Sequence, residues 1–264
     1  MTPLIFALFL ISTVFGFNTL TRFGRKSSTT SLMMGKYLGS NPVFIAGGSS
    51  GIGLEVVKKL SAMGTPCRVL VRRADAKEEL DAMPGVEAFL GDAADEHAVQ
   101  STMNGCVAAV TTLGGKLDDG RLIDYVGNSC VVEQAGILGC ERIILVTSIG
   151  CGETKKALSD ATYKVLEEYL NEKNKAERDL RMYTNLDWTI LRPGGLKDGK
   201  ATGKAIVTED VTASGSVYRE DVASLVIKAL DSDSKATRKE LSCIDPSLVG
   251  ANDEQPAAYV PYEL

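Results

Sequence analysis

Histidine is almost missing from this chain of 264 residues: His97 is the only one, and it lies in the charged run Asp95-Glu96-His97. A Ser-His-Asp triad or a histidine-based zinc site therefore has almost no material. The six cysteines, Cys67, Cys106, Cys130, Cys140, Cys151 and Cys243, form no CxxC pair. Several sit inside apolar runs, where a free cysteine acts as a small hydrophobe, and a disulfide framework is not expected at this length. Acidic residues are absent before Glu55. No apolar run is long enough to span a bilayer comfortably. The net charge of −5 excludes a bulk attraction to nucleic acid or anionic lipid.

The charge that is present is unevenly spread. The first forty residues carry Arg22, Arg25, Lys26 and Lys36 and no acid, so the remainder has a net charge of −9. Residues 1–16 contain the apolar run Pro3 to Phe15, broken only by Ser12 and Thr13, which fits a signal-peptide core. Residues 17–40 are rich in Ser, Thr and Arg over Phe17 to Met34 and resemble a plastid transit peptide. The two together resemble the bipartite leader of algae with complex plastids, joined at Gly16-Phe17 but without a basic n-region. The expectation is import into a plastid; an amphipathic membrane anchor is the alternative.

Residues 41–245 read as one α/β domain, with 246–264 as a surface-laid tail. Strands are expected at Val43–Ala46, Cys67–Val71, Val86–Leu90, Val107–Thr111, Ile143–Thr147, Trp188–Leu191 and near Leu241–Ile244. Between them lie helical patterns: Ile52, Val56, Leu60 and Met63 on one face, then Lys77–Ala82, Glu96–Met103, Leu122–Leu138, Tyr163–Tyr183, and a face of Val222, Leu225, Val226 and Ala229. Such alternation predicts a Rossmann-type, doubly wound parallel sheet with helices on both faces. Ligands then bind beyond the carboxyl ends of the strands, where strand order reverses. The Gly-, Lys- and Thr-rich stretch Gly194 to Ser216 is the candidate substrate-side insertion.

The strongest motif is Gly47-Gly48-Ser49-Ser50-Gly51-Ile52-Gly53, which follows an apolar strand and opens an amphipathic helix. Glycines allow a tight turn and close backbone approach to a diphosphate, and the helix N-terminus offers free N–H groups. The second strand ends in Arg72-Arg73, where an acid would hold a ribose 2′-hydroxyl. Guanidinium suits a 2′-phosphate instead, so NADP(H) is the expected cofactor and NAD(H) the lesser one. Solvated surface arginines are the alternative. Asp92, at the end of the third strand, either accepts from an adenine amino group or caps the next helix. Thr112-Leu113-Gly114 follows the fourth strand, where small residues let a cofactor lie against the backbone or simply make a turn.

The spacing Gly-x-x-x-Gly-x-Gly resembles the short-chain dehydrogenase/reductase superfamily, with Ala46 where a Thr is usual. Further segments resemble its atypical NAD(P)-binding branch, similar to NmrA and to the dinucleotide-binding part of the plastid protein Tic62. They are Arg68-Val-Leu-Val-Arg72-Arg73, Gly91-Asp92, Asp124-Tyr125-Val126-Gly127-Asn128, Leu145-Val-Thr-Ser148-Ile-Gly150, Lys173-Asn-Lys-Ala-Glu177 through Leu196, and Arg219-Glu-Asp-Val-Ala223. The resemblance covers Pro42 to Ile244 and implies that Lys173, Pro193 and Gly194 also border the cofactor. Tyr169 and Lys173, four apart on a helix, share a face, and an adjacent cation favours phenolate. With Ser148 at the end of the fifth strand, the resemblance implies a Ser148/Tyr169/Lys173 set, with Tyr169 as proton donor to a carbonyl oxygen. The separation of 21 residues between Ser148 and Tyr169 departs from the main branch. A packing Tyr with a solvated Lys is the alternative. Cys151, near the expected nicotinamide position, is either a redox-sensing thiol or an ordinary buried cysteine. The function expected is a plastid NADP(H)-dependent reductase of a small carbonyl or conjugated substrate. The alternative is a non-catalytic cofactor-binding redox sensor or assembly partner.

Overall fold

The computed structural model describes residues 36–117, 119–183, 185–232, 235–248 and 259–264; of the leader segments expected over 1–40, residues 1–35 lie outside them, while Tyr37 and Leu38 are buried in the core of the domain. Val43–Ala46 (β1) is buried at every position, as required of a central strand covered on both faces. Its alternate residues serve different layers. Val43 and Ile45 pack with Val56, Val57 and Leu60 of α1 (Gly51–Met63) and Val222 and Val226 of α6 (Arg219–Asp231). Phe44 and Ala46 pack instead with Val99 of α3 (Glu96–Met103), Val131 of α4 (Ile123–Ile137) and Leu180 of α5 (Asp160–Met182). Burying one such aliphatic side chain stabilises the fold by about 1.5–3 kcal/mol.

Around β1 the strands β2 (Cys67–Val71), β3 (Val86–Leu90), β4 (Ala108–Thr111), β5 (Arg142–Val146), β6 (Asp187–Pro193) and β10 (Lys239–Ile244) are parallel. The sheet order is β3-β2-β1-β4-β5-β6-β10-β8, with β8 (Ile206–Thr208) antiparallel to β10 at one edge. Strand order reverses between β1 and β4. A separate two-stranded ribbon pairs β7 (Gly195–Lys197) with β9 (Ser216–Tyr218). The expected doubly wound α/β fold is therefore present.

Several boundaries differ from the sequence reading. Helix α2 spans Ala74–Asp81 and starts three residues early, with Asp75 in its first turn, where an acid favours the helix dipole. Helix α5 starts at Asp160, because Ser159 caps it by accepting from the Thr162 N–H. The stretch 194–216 is not irregular throughout: it supplies β7 and β8 and opens β9. The end of the tail is tied down, with the Tyr262 N–H donating to the Val207 carbonyl at 2.7 Å. Among the described residues no helix is long and apolar enough to cross a membrane. Nor does any group of His, Cys, Asp and Glu there form a candidate metal site.

Candidate functional site: a dinucleotide cleft and an adjoining apolar chamber

The glycine turn between β1 and α1 leaves no room for side chains. A Cβ on Gly53 would sit 2.2 Å from the Gly47 carbonyl oxygen, and one on Gly48 would sit 2.5 Å from Val69 Cγ1. Gly47 has φ +82°, and a Cβ there would meet Thr112 Oγ1 at 2.7 Å. Gly48 and Gly53 thus act from beneath, by close packing. Gly47, Ser49, Ser50, Gly51 and Ile52 line a cleft of about 270 Å³ above them. Ser50, the N-cap of α1, makes no side-chain capping bond, and the first turn holds no acid. The N–H groups that open the helix therefore face an anion without competition from a carboxylate.

The strand ends on either side supply the rest of the cleft: Leu70, Val71 and Arg72 from β2, Gly91-Asp92-Ala93 after β3, and Thr112-Leu113-Gly114 after β4. Arg72 is exposed and makes no hydrogen bond or ion pair with any described residue. Arg73, by contrast, does not line the cleft; it pairs with Asp75, Nη2 to Oδ2 at 3.1 Å. Asp92 accepts from the Ala94 N–H at 2.9 Å, while the cap of α3 is Asp95, accepting from the His97 N–H at 3.0 Å. Asp92 is thus free of the capping role and lines the cleft.

Behind Gly114 lies Lys173 on α5. Its ammonium donates to the Leu113 carbonyl at 3.2 Å and lies 2.7 Å from Asp124 Oδ1. Asp124 in turn accepts from the Gly115 N–H, and Asn128 donates to the Leu113 carbonyl and accepts from Thr111. The turn after β4 is held by side chains from α4 and α5 together. Tyr169, one turn before Lys173, is half-buried, makes no hydrogen bond with described residues and borders neither cavity of the site.

A second cavity of about 310 Å³ adjoins the first, and Leu196 lines both. Ser148 and Ile149 close it on the β5 side, Leu158, Thr162 and Leu166 on the α5 side, and Pro193, Gly194 and Gly215 at the ribbon. Pro193 and Gly194 therefore face this chamber rather than the dinucleotide cleft. No charged side chain lines it. The Ser148 hydroxyl donates to the Ile149 carbonyl at 2.9 Å, which leaves its oxygen free to accept and its proton free to be redirected. Cys151, next to this turn, is buried, and that burial pushes its thiol up to about 12; it is a packed thiol, not a reactive one.

At the ends of β5 and β6 four charges meet, with Glu177 and Arg192 buried and Arg181 and Glu240 partly exposed. Glu177 on α5, fully buried, accepts from Arg192 Nε at 2.9 Å, from Arg192 Nη2 at 2.6 Å and from the Thr147 hydroxyl at 2.7 Å. Arg181 joins Glu177 and Glu240, Nη2 at 3.0 Å and Nε at 2.6 Å respectively. Burial would lower Arg192, but the bonds from Glu177 and the charge of Glu240 hold it above the usual arginine value. The network ties the ends of β5 and β6 to α5, and those ends carry Ser148 and Pro193.

Seven lining residues are not among those expected from sequence: Leu70, Val71, Gly91 and Ala93 beside expected strand-end residues, and Ile123, Leu196 and Arg219 away from them. Arg219 opens α6, far from the glycine turn in sequence. Only the return of α6 beside α1 brings its guanidinium over Gly51, where a Cβ would lie 3.7 Å from Nε. The cleft thus offers helix N–H groups, a backbone cradle that side chains would fill, two guanidinium groups and one carboxylate. These residues fit a nicotinamide dinucleotide.

Comparison with known proteins agrees. A family model described as NAD(P)H-binding matches residues 47–233. Among solved structures, ChuY of Escherichia coli O157:H7, described as an anaerobilin reductase, is similar at 32% identity and a TM-score of 0.73. The match covers 80% of this chain and all of that one. An uncharacterised sugar epimerase of Bacillus subtilis, YhfK, is 29% identical over 74% of this chain and 91% of its own. The chloroplastic protein TIC 62 of Pisum sativum is 25% identical over 70% of this chain and 39% of its own length. The fold, the glycine cradle and the matched family model lead to one assignment: the chain belongs to the NAD(P)H-binding family.

Proposed function

We propose that this protein is an NADPH-dependent reductase of an uncharged, conjugated substrate and that it works in a plastid. The observation that carries the reading is the apolar chamber beside the dinucleotide cleft, with Leu196 lining both. When bound, a reduced nicotinamide supplies a hydride. The chamber walls, Ile149, Leu158, Leu166 and Leu196, favour an apolar reactant. Their lack of charge argues against a carboxylate or phosphate at the reacting end. Ser148 is placed to hydrogen-bond the reacting heteroatom, and Lys173 holds the turn that the cofactor lies against. Because Tyr169 borders neither cavity, the proton comes through Ser148 or from water at the chamber mouth.

Arg72, unpaired at the end of β2, supports the choice of NADPH over NADH. ChuY, described as a reductase, supports reduction, and the likeness to chloroplastic TIC 62 supports the plastid. The basic, acid-free residues 17–40 are consistent with import. The test is loss of NADPH absorbance with purified protein against a panel of enones, quinones and linear conjugated pigments. Turnover of any neutral conjugated member supports the reading. Tight cofactor binding without turnover across the panel would favour the non-catalytic sensor or assembly partner instead.

A further inference from the structure

The dinucleotide cleft has three charged lining residues, Arg72, Asp92 and Arg219. A nicotinamide dinucleotide phosphate brings two separate anionic groups, the 2′-phosphate and the diphosphate. Arg72 sits at the β2 end, where the 2′-phosphate belongs. Arg219 sits elsewhere, above Gly51 at the opening of α1, with Nε and Cδ 3.7 and 3.8 Å from the point a Gly51 Cβ would occupy. That is where the glycine turn presents its N–H groups.

We propose that Arg219 is a diphosphate ligand, and that its ion pair with Asp198 makes the substrate-side ribbon sense cofactor occupancy. Arg219 Nη1 donates to Asp198 Oδ1 at 2.6 Å, and no other bond from this guanidinium to a described residue is present. A guanidinium has five N–H groups, so Nε, on the side facing Gly51, stays available while Nη1 holds Asp198. Asp198 follows directly on β7, whose Leu196 walls both the cleft and the chamber. Asp198 is itself 90% exposed, so its pairing with Arg219 is weak in solvent and leaves the link that follows β7 loosely tethered. A diphosphate that fixes the guanidinium also fixes the partner of Asp198.

The neighbouring chain is already organised around this point. Glu220 accepts from the Ala201 N–H at 2.8 Å, and Asp221 accepts from the N–H groups of Thr202 and Gly203 at 2.9 and 3.0 Å. The segment 201–203 is therefore anchored on the first turn of α6, immediately after Arg219. Residues 195–197 are held by pairing with β9, so the Asp198 contact bears on the short link 198–200 between that pairing and the anchored segment. The inference rests on cofactor binding alone and holds whether or not the protein proves to be a reductase.

The experiment compares Arg219→Ala, Arg219→Lys, Asp198→Asn and Arg72→Ala by fluorescence titration with NADPH and with NADH. Limited proteolysis with trypsin at Lys197 and Lys200 is run beside it, and circular dichroism verifies folding. Loss of a charged hydrogen bond corresponds to a weakening of about ten- to hundredfold. Arg219→Ala is expected to weaken both cofactors by that factor equally, since both carry the diphosphate, and Arg219→Lys to weaken them less. Asp198→Asn is expected to leave affinity within about twofold of wild type yet abolish the protection that cofactor gives against cleavage at Lys197 and Lys200. Wild-type affinity in Arg219→Ala, or a loss confined to NADPH, overturns the diphosphate assignment. Full cofactor protection in Asp198→Asn overturns the link to the ribbon. If Arg219→Ala misfolds, Arg219→Lys carries the same comparison.

Discussion

The Lys173 ammonium lies 2.7 Å from Asp124 Oδ1, and the Asp124 side chain is 1% exposed. Two helices thus meet over the turn that follows β4, and the lysine is committed to a carboxylate before any cofactor arrives. Lys173→Met leaves that carboxylate buried and unpaired, which costs about 3–5 kcal/mol. The double variant Lys173→Met with Asp124→Asn removes the orphan charge and should recover most of the loss. Urea unfolding of the four proteins in a double-mutant cycle measures it. A Lys173→Met protein as stable as wild type would refute the pairing.

Arg72 and Arg73 are adjacent, yet only Arg72 lines the cleft, because Arg73 is taken by Asp75. Arg72→Ala should therefore weaken NADPH by about 1.5–3 kcal/mol and NADH hardly at all. Arg73→Ala should alter neither. Titration of both cofactors against both variants checks this. Equal losses for NADPH and NADH in Arg72→Ala would show that the 2′-phosphate is bound elsewhere.

These two cases show where sequence was a sufficient guide. The glycine turn was legible because Gly47 to Gly53 must satisfy local constraints: positive φ at Gly47 and close approach of Gly53 to the turn. The strand ends followed from periodicity, so Arg72, Asp92 and Thr112 could be placed in advance. What periodicity cannot show is which of two adjacent arginines is free, since Asp75 decides it through a side-chain contact. Nor can it bring Arg219 to Gly51, or Leu196 to both cavities, since those depend on how α6 and the β7–β9 ribbon return to the sheet. The i,i+4 spacing of Tyr169 and Lys173 placed both on one helix face without saying how far Tyr169 reaches. The starts of α2 and α5 lie outside the apolar periodicity: α2 begins with the polar first turn that holds Asp75, and α5 at the Ser159 cap.

The charge network of Glu177, Arg181, Arg192 and Glu240 carries a pH signature. Burial pushes the Glu240 carboxyl upward, but the hydrogen bond from Arg181 and the charges of Arg192 and Arg181 outweigh it and hold the group below its ordinary 4.5. A carboxyl with a depressed folded value binds its proton less readily when folded, so its stabilisation is full above the unfolded value. It fades as pH falls from about 4.5 through the folded value. Glu240→Gln should accordingly be less stable than wild type at pH 7, with the gap closing on acidification below that point. Thermal melts across a pH series test it. A gap that stays constant down to low pH would mean Glu240 contributes by packing alone.

The proton donor is the remaining question at the chamber, and Ser148 and Tyr169 answer it differently. Ser148 borders the cavity proposed for the substrate, and its hydroxyl donates to the Ile149 carbonyl. Tyr169 sits on α5 with no hydrogen-bond partner among the described residues and no place on either cavity wall. The Lys173 ammonium that would tune its phenol is already paired with Asp124. With the conjugated substrate that turns over, Ser148→Ala should lower kcat by roughly tenfold or more, the lower end of what a positioned proton-transfer group supplies being about 10²-fold. Cofactor affinity should not change. Tyr169→Phe should keep its rate within about threefold, because the hydroxyl it removes touches neither reactant. A Tyr169→Phe loss of about 10²–10⁴-fold with unchanged NADPH binding would instead identify Tyr169 as the general acid. It would require α5 to turn or shift when cofactor and substrate are bound. A solvent isotope effect on kcat in wild type and Ser148→Ala separates the last two sources of the proton. An effect that disappears in Ser148→Ala points to the serine hydroxyl, and one that persists points to water entering at the chamber mouth.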